Sequence, residues 1–279
     1  MARQWIILAG LALAGVLGGC AGKPYVTGER LDRGLVLVFT GIEGRSPLNT
    51  AICDGLAAGD VPYAIEPVDW TVPGVALYNL RAEQRNRRQA RKMARRIEDY
   101  RRRYPARPVV LVGHSGGGAM AVWTAEALEE GAKVDGLILL AAALSPDYPL
   151  AEAVSRSRRG IVNFHSDSDV LFLGAGTILA GTMDGQHTSS AGRVGFNLPS
   201  DGDASAWTAR VYQIPHRPEM SAAGHWGGHT SVVAADFVSR YVAPLVRAPQ
   251  WDAAFIDGVA GGDAAATLST DASAVYRRY

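Results

Sequence analysis

A serine lies between an apolar run and a helix-forming run, in a setting where its hydroxyl could act as a nucleophile. Ser115 stands in residues 113–118, Gly-His-Ser-Gly-Gly-Gly, with glycine two residues before it and two residues after it. Residues 109–112 are typical of a buried strand and residues 119–123 of a helix. Only glycine at the two flanking positions leaves room for the backbone at so sharp a turn, and the helix that follows directs its free amides toward a developing oxyanion. The pattern predicts acyl chemistry at Ser115; no Gly-Lys-Ser/Thr ending follows to indicate a phosphate-binding loop.

The elements that must position this serine alternate between strand and helix patterns. Continuous β-rich apolar runs predict strands at 35–39, 63–69, 109–113, 134–141, 160–165 and 208–214. Helices are predicted at 47–58, 79–104, 117–130 and 230–243, the last ended by Pro244. Such alternation predicts one α/β domain over residues 34–246, with a mostly parallel central sheet and helices on both faces.

Two regions depart from this alternation. Residues 170–205 are rich in Gly, Ser and Thr, and we expect a lid-like excursion over the carboxyl edge of the sheet. Residues 247–279 are rich in Ala, Gly and Asp, and we expect a loosely ordered C-terminal tail.

The strand, the Gly-x-Ser-x-Gly turn and the helix together resemble the α/β-hydrolase superfamily, and Gly-His-Ser-Gly-Gly-Gly is similar to the nucleophile turn of lipases and esterases. The resemblance extends over roughly residues 34 to 246. It implies the α/β-hydrolase fold, and catalytic residues in the chain order serine, acid, histidine.

That order implies an acid after the second strand beyond the serine. The sequence after that strand, residues 165–171, is His-Ser-Asp-Ser-Asp-Val-Leu. Asp169 is favoured because an apolar pair follows it; Asp167 is the alternative, and Asp147, after the preceding strand, is a third. The acids that are not used would cap turns.

The same order implies a histidine between the last strand and the last helix, where residues 223–230 read Ala-Gly-His-Trp-Gly-Gly-His-Thr. His229 is the first choice, His225 the second and His216 a third. An imidazole there would accept the proton of Ser115 and return it to the leaving group. His225 and His229 are four residues apart, but the glycines between them disfavour a helix and no acidic third ligand is adjacent, so no metal is expected.

The oxyanion hole needs two amides. The resemblance implies one from Gly116 and one from the loop after an early strand, where residues 37–44 place Ile42. An ordinary glycine turn after a strand is the alternative interpretation of that loop.

The N-terminus is typical of an export signal. Arg3 precedes an apolar stretch over residues 5–17, which is too short for a convincing spanning helix. Leu-Gly-Gly-Cys at 17–20 resembles the lipobox of bacterial lipoproteins, which implies cleavage after residue 19, a lipid on Cys20 and a linker over residues 20–33. An ordinary cleaved signal or an uncleaved anchor is the alternative. Cys53 would then be the only free thiol, and we expect it to be a buried structural residue.

Charge is balanced overall and concentrated locally. The formal net charge is +1, yet residues 81–107 hold 12 Lys/Arg against 3 Asp/Glu. The apolar stripe of this predicted helix would pack on the sheet and leave arginines outside. A solvated face, or attraction to anionic lipid or an anionic envelope polymer, could account for it. Nucleic-acid binding is not expected.

Together these observations predict a serine hydrolase of the bacterial cell envelope, anchored to a membrane, that cleaves an ester, thioester or amide of a small-molecule or lipid acyl substrate without a cofactor. An acyltransferase, a peptidase, or a surface lipoprotein that binds without turnover are the alternatives, because one fold hosts many reactions.

Overall fold

A six-stranded parallel sheet is the centre of the domain in the computed structural model, which describes residues 25–169, 172–173, 176–177, 181–199 and 205–262. Its strands are β1 (Leu35–Phe39), β2 (Ala64–Val68), β3 (Val109–His114), β4 (Gly136–Leu140), β5 (Ile161–His165) and β8 (Val211–Pro215). A two-stranded antiparallel pair, β6 (Phe172–Leu173) and β7 (Gly176–Thr177), lies apart from it. The order in the large sheet is β2-β1-β3-β4-β5-β8, so the direction of chain progression reverses between β1 and β3. In open parallel sheets ligands bind at such a switch point, beyond the carboxyl ends of the strands.

Helices connect the strands in chain order. They are α1 (Gly28–Arg33), α2 (Pro47–Ala58), α3 (Ala76–Arg81), α4 (Glu83–Arg103), α5 (Gly116–Glu126), α6 (Ala151–Ser155), α7 (Ala191–Val194), α8 (Ser205–Thr208), α9 (Ala235–Phe237), α10 (Ala243–Arg247) and α11 (Ala253–Gly261). Short 3₁₀ turns span Pro218–Ala223 and Ser231–Val233, and one π turn spans Val238–Val242.

Both faces of the sheet are covered, which explains why the central strands read as unbroken apolar runs. In β1, Leu35, Leu37 and Phe39 face one core, and Val36 and Val38 face the other. The first core is closed by α4 and α5, and the second by α2, by residues 235–247 and by α11. The predicted fold class is confirmed.

The predicted long helix over 79–104 is two helices in the structure. The chain breaks at Ala82, which ends α3 and precedes α4. Two buried asparagines fix the break: Asn86 Nδ2 donates to the Asn79 carbonyl at 2.6 Å, and Asn79 Nδ2 donates to the Ile42 carbonyl at 2.9 Å. Apolar side chains keep their helical spacing on both sides of Ala82, so the sequence pattern did not indicate that there are two helices.

The C-terminal region differs from the sequence prediction at two places. Pro244 does not end the last predicted helix; it lies in the first turn of α10, where a missing N–H is tolerated. Residues 251–262 are not a loose tail, because α11 buries Phe255, Ile256 and Val259 in the second core. The prediction of a flexible tail was wrong for these residues, because small side chains fit a closely packed helix as well as a flexible chain. The remainder, 263–279, lies outside the described residues.

The start of the described chain is folded against the domain. Part of the predicted linker forms α1, and the Tyr25 carbonyl accepts the Ile65 amide at 3.0 Å beside β2. The predicted signal and Cys20 lie outside the described residues. Within the part of the chain that the structure describes, no helix combines enough length with enough apolar character to cross a bilayer. Cys53 is buried in α2, and burial raises the pKa of its thiol to about 12.

Candidate active site

Ser115 sits at a strained corner between β3 and α5. Its φ is +56° and its ψ −122°, a region that non-glycine residues rarely adopt and that costs about 1–3 kcal/mol. The corner is held by three main-chain hydrogen bonds: the Ser115 amide donates to the Leu140 carbonyl at 2.9 Å, and the Ser115 carbonyl accepts from the amides of Gly118 and Ala143 at 2.9 and 3.0 Å. Strain maintained by the surrounding structure is typical of a functional position.

The two flanking glycines are required by sterics. A Cβ on Gly113 would lie 2.2 Å from the Gly117 carbonyl oxygen, and a Cβ on Gly117 would lie 2.3 Å from the Phe39 carbonyl oxygen. These contacts are with backbone, which cannot move aside as the end of a side chain can. They account physically for the glycine spacing on which the sequence argument depended.

Asp169 and His229 form a buried pair. The Nδ1–H of His229 donates to Asp169 Oδ1 at 2.7 Å, although 60 residues separate them in the chain. Their side chains are 9% and 4% exposed. Asp169 is presented at the end of a tight turn after β5, where its amide donates to the Ser166 carbonyl at 2.8 Å. A proton held on Nδ1 leaves the lone pair of the imidazole on Nε2.

That Nε2 is buried and has no hydrogen-bond partner among the described residues. Its lone pair is therefore not committed to another protein group and can accept a proton. Ser115 Oγ therefore does not bond to Nε2 in this conformation. Nucleophile–base contacts are commonly loose before substrate binds.

The competing histidines are held in other interactions. His225, the second choice, bonds through Nδ1 to Ser231 Oγ at 3.0 Å, and its ring meets Phe237 edge-on. Burial, with a smaller contribution from repulsion by His216, lowers the pKa of His225 to about 4. His216 donates from Nε2 to the His225 carbonyl at 3.0 Å. Both histidines shape the loop that carries His229.

The competing acids lie elsewhere. Asp147 is exposed and accepts from Asn197 Nδ2 at 2.7 Å. Asp167 is exposed, and its carbonyl accepts from Arg193 Nε at 3.2 Å. Neither carboxylate bonds to His229, whereas Asp169 does.

The oxyanion candidates belong to two segments in contact. A Cβ on Gly116 would lie 2.6 Å from Ile42 Cγ2 and 3.3 Å from both Trp70 and Met183. The loop that carries Ile42 is held by Trp70, whose Nε1–H donates to the Thr40 carbonyl at 2.8 Å. No other described residue accepts the N–H of Ile42 or of Gly116. Two free amides therefore flank the serine corner, as an oxyanion hole requires.

One residue of the site was missed by sequence reasoning. His114 is fully buried, its Nε2–H donates to the His229 carbonyl at 2.9 Å, and the two rings are 5.0 Å apart between centroids. Burial first, and the neighbouring His229 imidazole second, lower the pKa of His114 to about 3, so His114 stays neutral. Its position inside the Gly-x-Ser-x-Gly motif gave no signal, because any residue fits the pattern there.

Part of the predicted excursion forms a wall beside the serine. The Met183 amide donates to the Ala143 carbonyl at 2.8 Å, and Asp184 accepts from the amide and the hydroxyl of Ser145 at 3.0 and 2.5 Å. Residues 170–171, 174–175, 178–180 and 200–204 of the excursion lie outside the described residues. Among the described residues, no group of three His, Cys, Asp or Glu side chains is placed to hold a metal ion.

Comparison with known proteins is consistent with this site. The model of a family described as serine aminopeptidase, S33 matches residues 86–183, a segment that holds Ser115 and Asp169 but not His229. The fold and this match define an α/β-hydrolase-type enzyme. The comparison with curated proteins finds no match.

Three solved structures illustrate the similarity in fold. A predicted CIB-like hydrolase from Thermoplasma acidophilum is 15% identical, with a TM-score of 0.40 over 80% of this chain and 89% of that one. Est1E from Butyrivibrio proteoclasticus is 13% identical, with a TM-score of 0.39 over 76% and 86%. Lipase B from Aspergillus fumigatus is 11% identical, with a TM-score of 0.48 over 86% and 58%.

Proposed function

We propose that this protein is a serine hydrolase that cleaves a carboxylic ester, or a thioester or amide, through an acyl-serine intermediate at the bacterial cell envelope. One observation carries the proposal. The buried Asp169–His229 hydrogen bond of 2.7 Å leaves the His229 Nε2 unpartnered, on a loop held by His114, the residue next to Ser115.

In the acylation step Ser115 Oγ attacks the carbonyl carbon while His229 Nε2 removes the hydroxyl proton. The charge that develops on the carbonyl oxygen is stabilised by the amides of Ile42 and Gly116, each worth about 100- to 1000-fold in rate. Asp169 holds the imidazole in the reactive tautomer and stabilises the imidazolium. The tetrahedral intermediate collapses to the acyl-serine, and the leaving group takes the proton from His229.

Deacylation repeats these steps with water. His229 removes a proton from water, the hydroxide attacks the acyl carbon, and Ser115 recovers its proton as the acid product leaves. If an alcohol or amine takes the place of water, the same residues perform acyl transfer.

A fluorophosphonate probe tests the nucleophile directly. We expect covalent labelling of the purified full chain at Ser115, and its complete loss in Ser115→Ala. Ser145→Ala is the matched control, because its hydroxyl belongs to the neighbouring wall. Folded wild-type protein that resists the probe would favour a binding protein without turnover.

The alternative with independent support is amide cleavage, since the matched family is described as a serine aminopeptidase. Paired p-nitrophenyl esters and aminoacyl anilides with the same acyl group separate the two reactions. Ester turnover with no anilide turnover supports the esterase assignment, and the reverse supports a peptidase.

The anchor is proposed from the sequence alone. Lipid on Cys20 would hold the domain at a membrane, because the described residues begin only five positions later, at Tyr25. Membrane fractionation of Cys20→Ser against wild type, combined with metabolic labelling by a fatty acid, tests it. An unlabelled wild-type chain would contradict it.

A further inference from the structure

A cluster of exposed apolar side chains lies next to the candidate active site. In the described part of the chain seven large apolar residues are exposed, and four of them fall within residues 72–78. Those four are Val72, Val75, Leu77 and Tyr78, at 38–52% relative exposure. Single exposed apolar residues are ordinary, whereas a contiguous group indicates contact with an apolar surface.

Hydrogen bonds of the buried Asn79 connect this cluster to the loop that carries Ile42. Asn79, 1% exposed, accepts from the Val72 amide and donates to the carbonyls of Val72 and Ile42, each at 2.9 Å. Ile42 in turn packs against Gly116. The exposed apolar group is therefore fixed in place beside Ser115.

A stripe of basic side chains continues from this cluster along α4. Its exposed members are Arg88, Arg91, Lys92, Arg95, Arg102 and Arg103. At 3.6 residues per turn these positions fall within an arc of about 120°, on the side opposite the buried Ala90 and Ile97. Arg102 pairs with Asp99, but the first four have no ion-pair partner within the described residues. Within α4, Asp99 therefore neutralises one end of the stripe and leaves the charges of Arg88, Arg91, Lys92 and Arg95 uncompensated by ion pairs among the described residues.

The C-terminal end of α4 contacts α1. Tyr100 of α4 donates its hydroxyl to the Leu31 carbonyl at 2.6 Å, and Arg107 pairs with Asp32 at 3.7 Å. Five residues from Cys20 to Tyr25 span at most about 17 Å. Tyr25 itself packs on the opposite face of the sheet, where its hydroxyl donates to Asp54 of α2, so a tether of this length does not by itself select the face that the domain presents to the bilayer.

We propose that residues 72–81 and the basic stripe of α4, here called the α3–α4 flank, form a contact surface for anionic phospholipid. The arginines and Lys92 would lie over headgroup phosphates, and the residue 72–78 cluster would enter the interface beside the site. The apolar cluster favours a lipid surface over a soluble anionic polymer, which would use only the charges. That the substrate is then an acyl ester drawn from the bilayer rests on the proposed function.

The test measures amide hydrogen exchange on the full chain, reconstituted through its own N-terminus into nanodiscs. One set contains phosphatidylcholine alone and the other adds about a third phosphatidylglycerol, enough to make the surface anionic. We expect slower exchange over residues 72–95 on the anionic discs, reversed by salt because the attraction is screened. Residues 253–262, which lie on the other face of the sheet, serve as the internal control and should not change.

A charge-matched pair of variants completes the test. The triple variant Arg88→Gln, Arg91→Gln, Arg95→Gln should abolish the protection on anionic discs. Each basic residue near an anionic surface contributes roughly fivefold to binding, so three lower the equilibrium about 100-fold. The control removes three exposed charges elsewhere and should keep the protection: Lys133→Gln, Arg158→Gln, Arg217→Gln.

Several outcomes would contradict the proposed contact between the α3–α4 flank and anionic phospholipid. These are equal exchange on the two lipid compositions, equal protection of residues 253–262, loss of protection in both triple variants, or protection by soluble dextran sulfate without any by anionic discs. Fluorophosphonate labelling of Ser115 on the same discs separates the two proposals. Labelling without lipid-dependent protection rejects only the proposed lipid contact. Protection without labelling rejects only the proposed hydrolase function.

Discussion

Replacing Asp169 by asparagine tests the central geometry, because it removes the charge and keeps the shape. In Asp169→Asn the amide can donate to Nδ1 of His229, which would place the proton on Nε2 and leave no lone pair toward Ser115. The variant also loses the carboxylate that stabilises the imidazolium formed during attack.

The magnitude follows from the contact. With donor and acceptor 2.7 Å apart, the charge centres of the pair are about 4 Å apart, and an effective dielectric of about 20 gives roughly 4 kcal/mol of attraction. At about 1.4 kcal/mol per tenfold change in rate, this corresponds to roughly 1000-fold in kcat/KM, and the wrong tautomer adds to it. We expect a loss of about 10³- to 10⁴-fold.

The assay is steady-state cleavage of a p-nitrophenyl ester, with circular dichroism to show that the variant is folded. Asp167→Asn is the matched control and should stay within about twofold, because its carboxylate is exposed and does not bond to the imidazole. A folded Asp169→Asn enzyme within tenfold of wild type, or a large loss in Asp167→Asn, would refute the assignment of the acid.

Three further predictions concern groups around the site. His114→Phe should lower kcat/KM about tenfold by releasing the catalytic loop, and His114→Gln, which keeps a donor, should recover part of it; equal losses in both would argue against positioning. His225 has a folded pKa of about 4 against about 6.5 when unfolded, so the unfolded chain binds the proton more tightly. The free energy of unfolding should therefore fall by up to about 3 kcal/mol as pH drops from about 6.5 to about 4. Urea titrations at several pH values should show that the unfolding free energy of His225→Gln depends less steeply on pH than that of the wild type. Gly117→Ala should cost more than about 2 kcal/mol, because its Cβ would meet a β1 carbonyl, whereas Gly28→Ala, with open space around it, should leave the melting temperature unchanged; similar melting temperatures for the two would contradict the packing at the corner.

What the sequence by itself determined is what depends on neighbours in the chain. The Gly-Ser-Gly spacing could be interpreted because the clash that it avoids involves residues within four positions of Ser115 and one adjacent strand. The central strands could be found because a strand buried on both faces must be apolar at every position. Chain order in the superfamily that the sequence resembles indicated the segments of the acid and the histidine. Asp169 was then preferred for the apolar pair after it and His229 for the two glycines before it, and their spatial pairing is consistent with both choices.

The tertiary structure decided which groups meet. Asp169 and Asp167 differ by two positions in one turn, and only the packed loop after β8 shows that the Asp169 carboxylate bonds to an imidazole 60 residues away. The carbonyl that occupies His114 also comes from that loop, so no local pattern could reveal the bond. The helix α11 was missed because its stability comes from burial on a distant sheet face, while its own composition resembles a flexible tail. Long-range contacts of this kind depend on how the elements stack, and the pattern along the chain records only that each element has a face to bury.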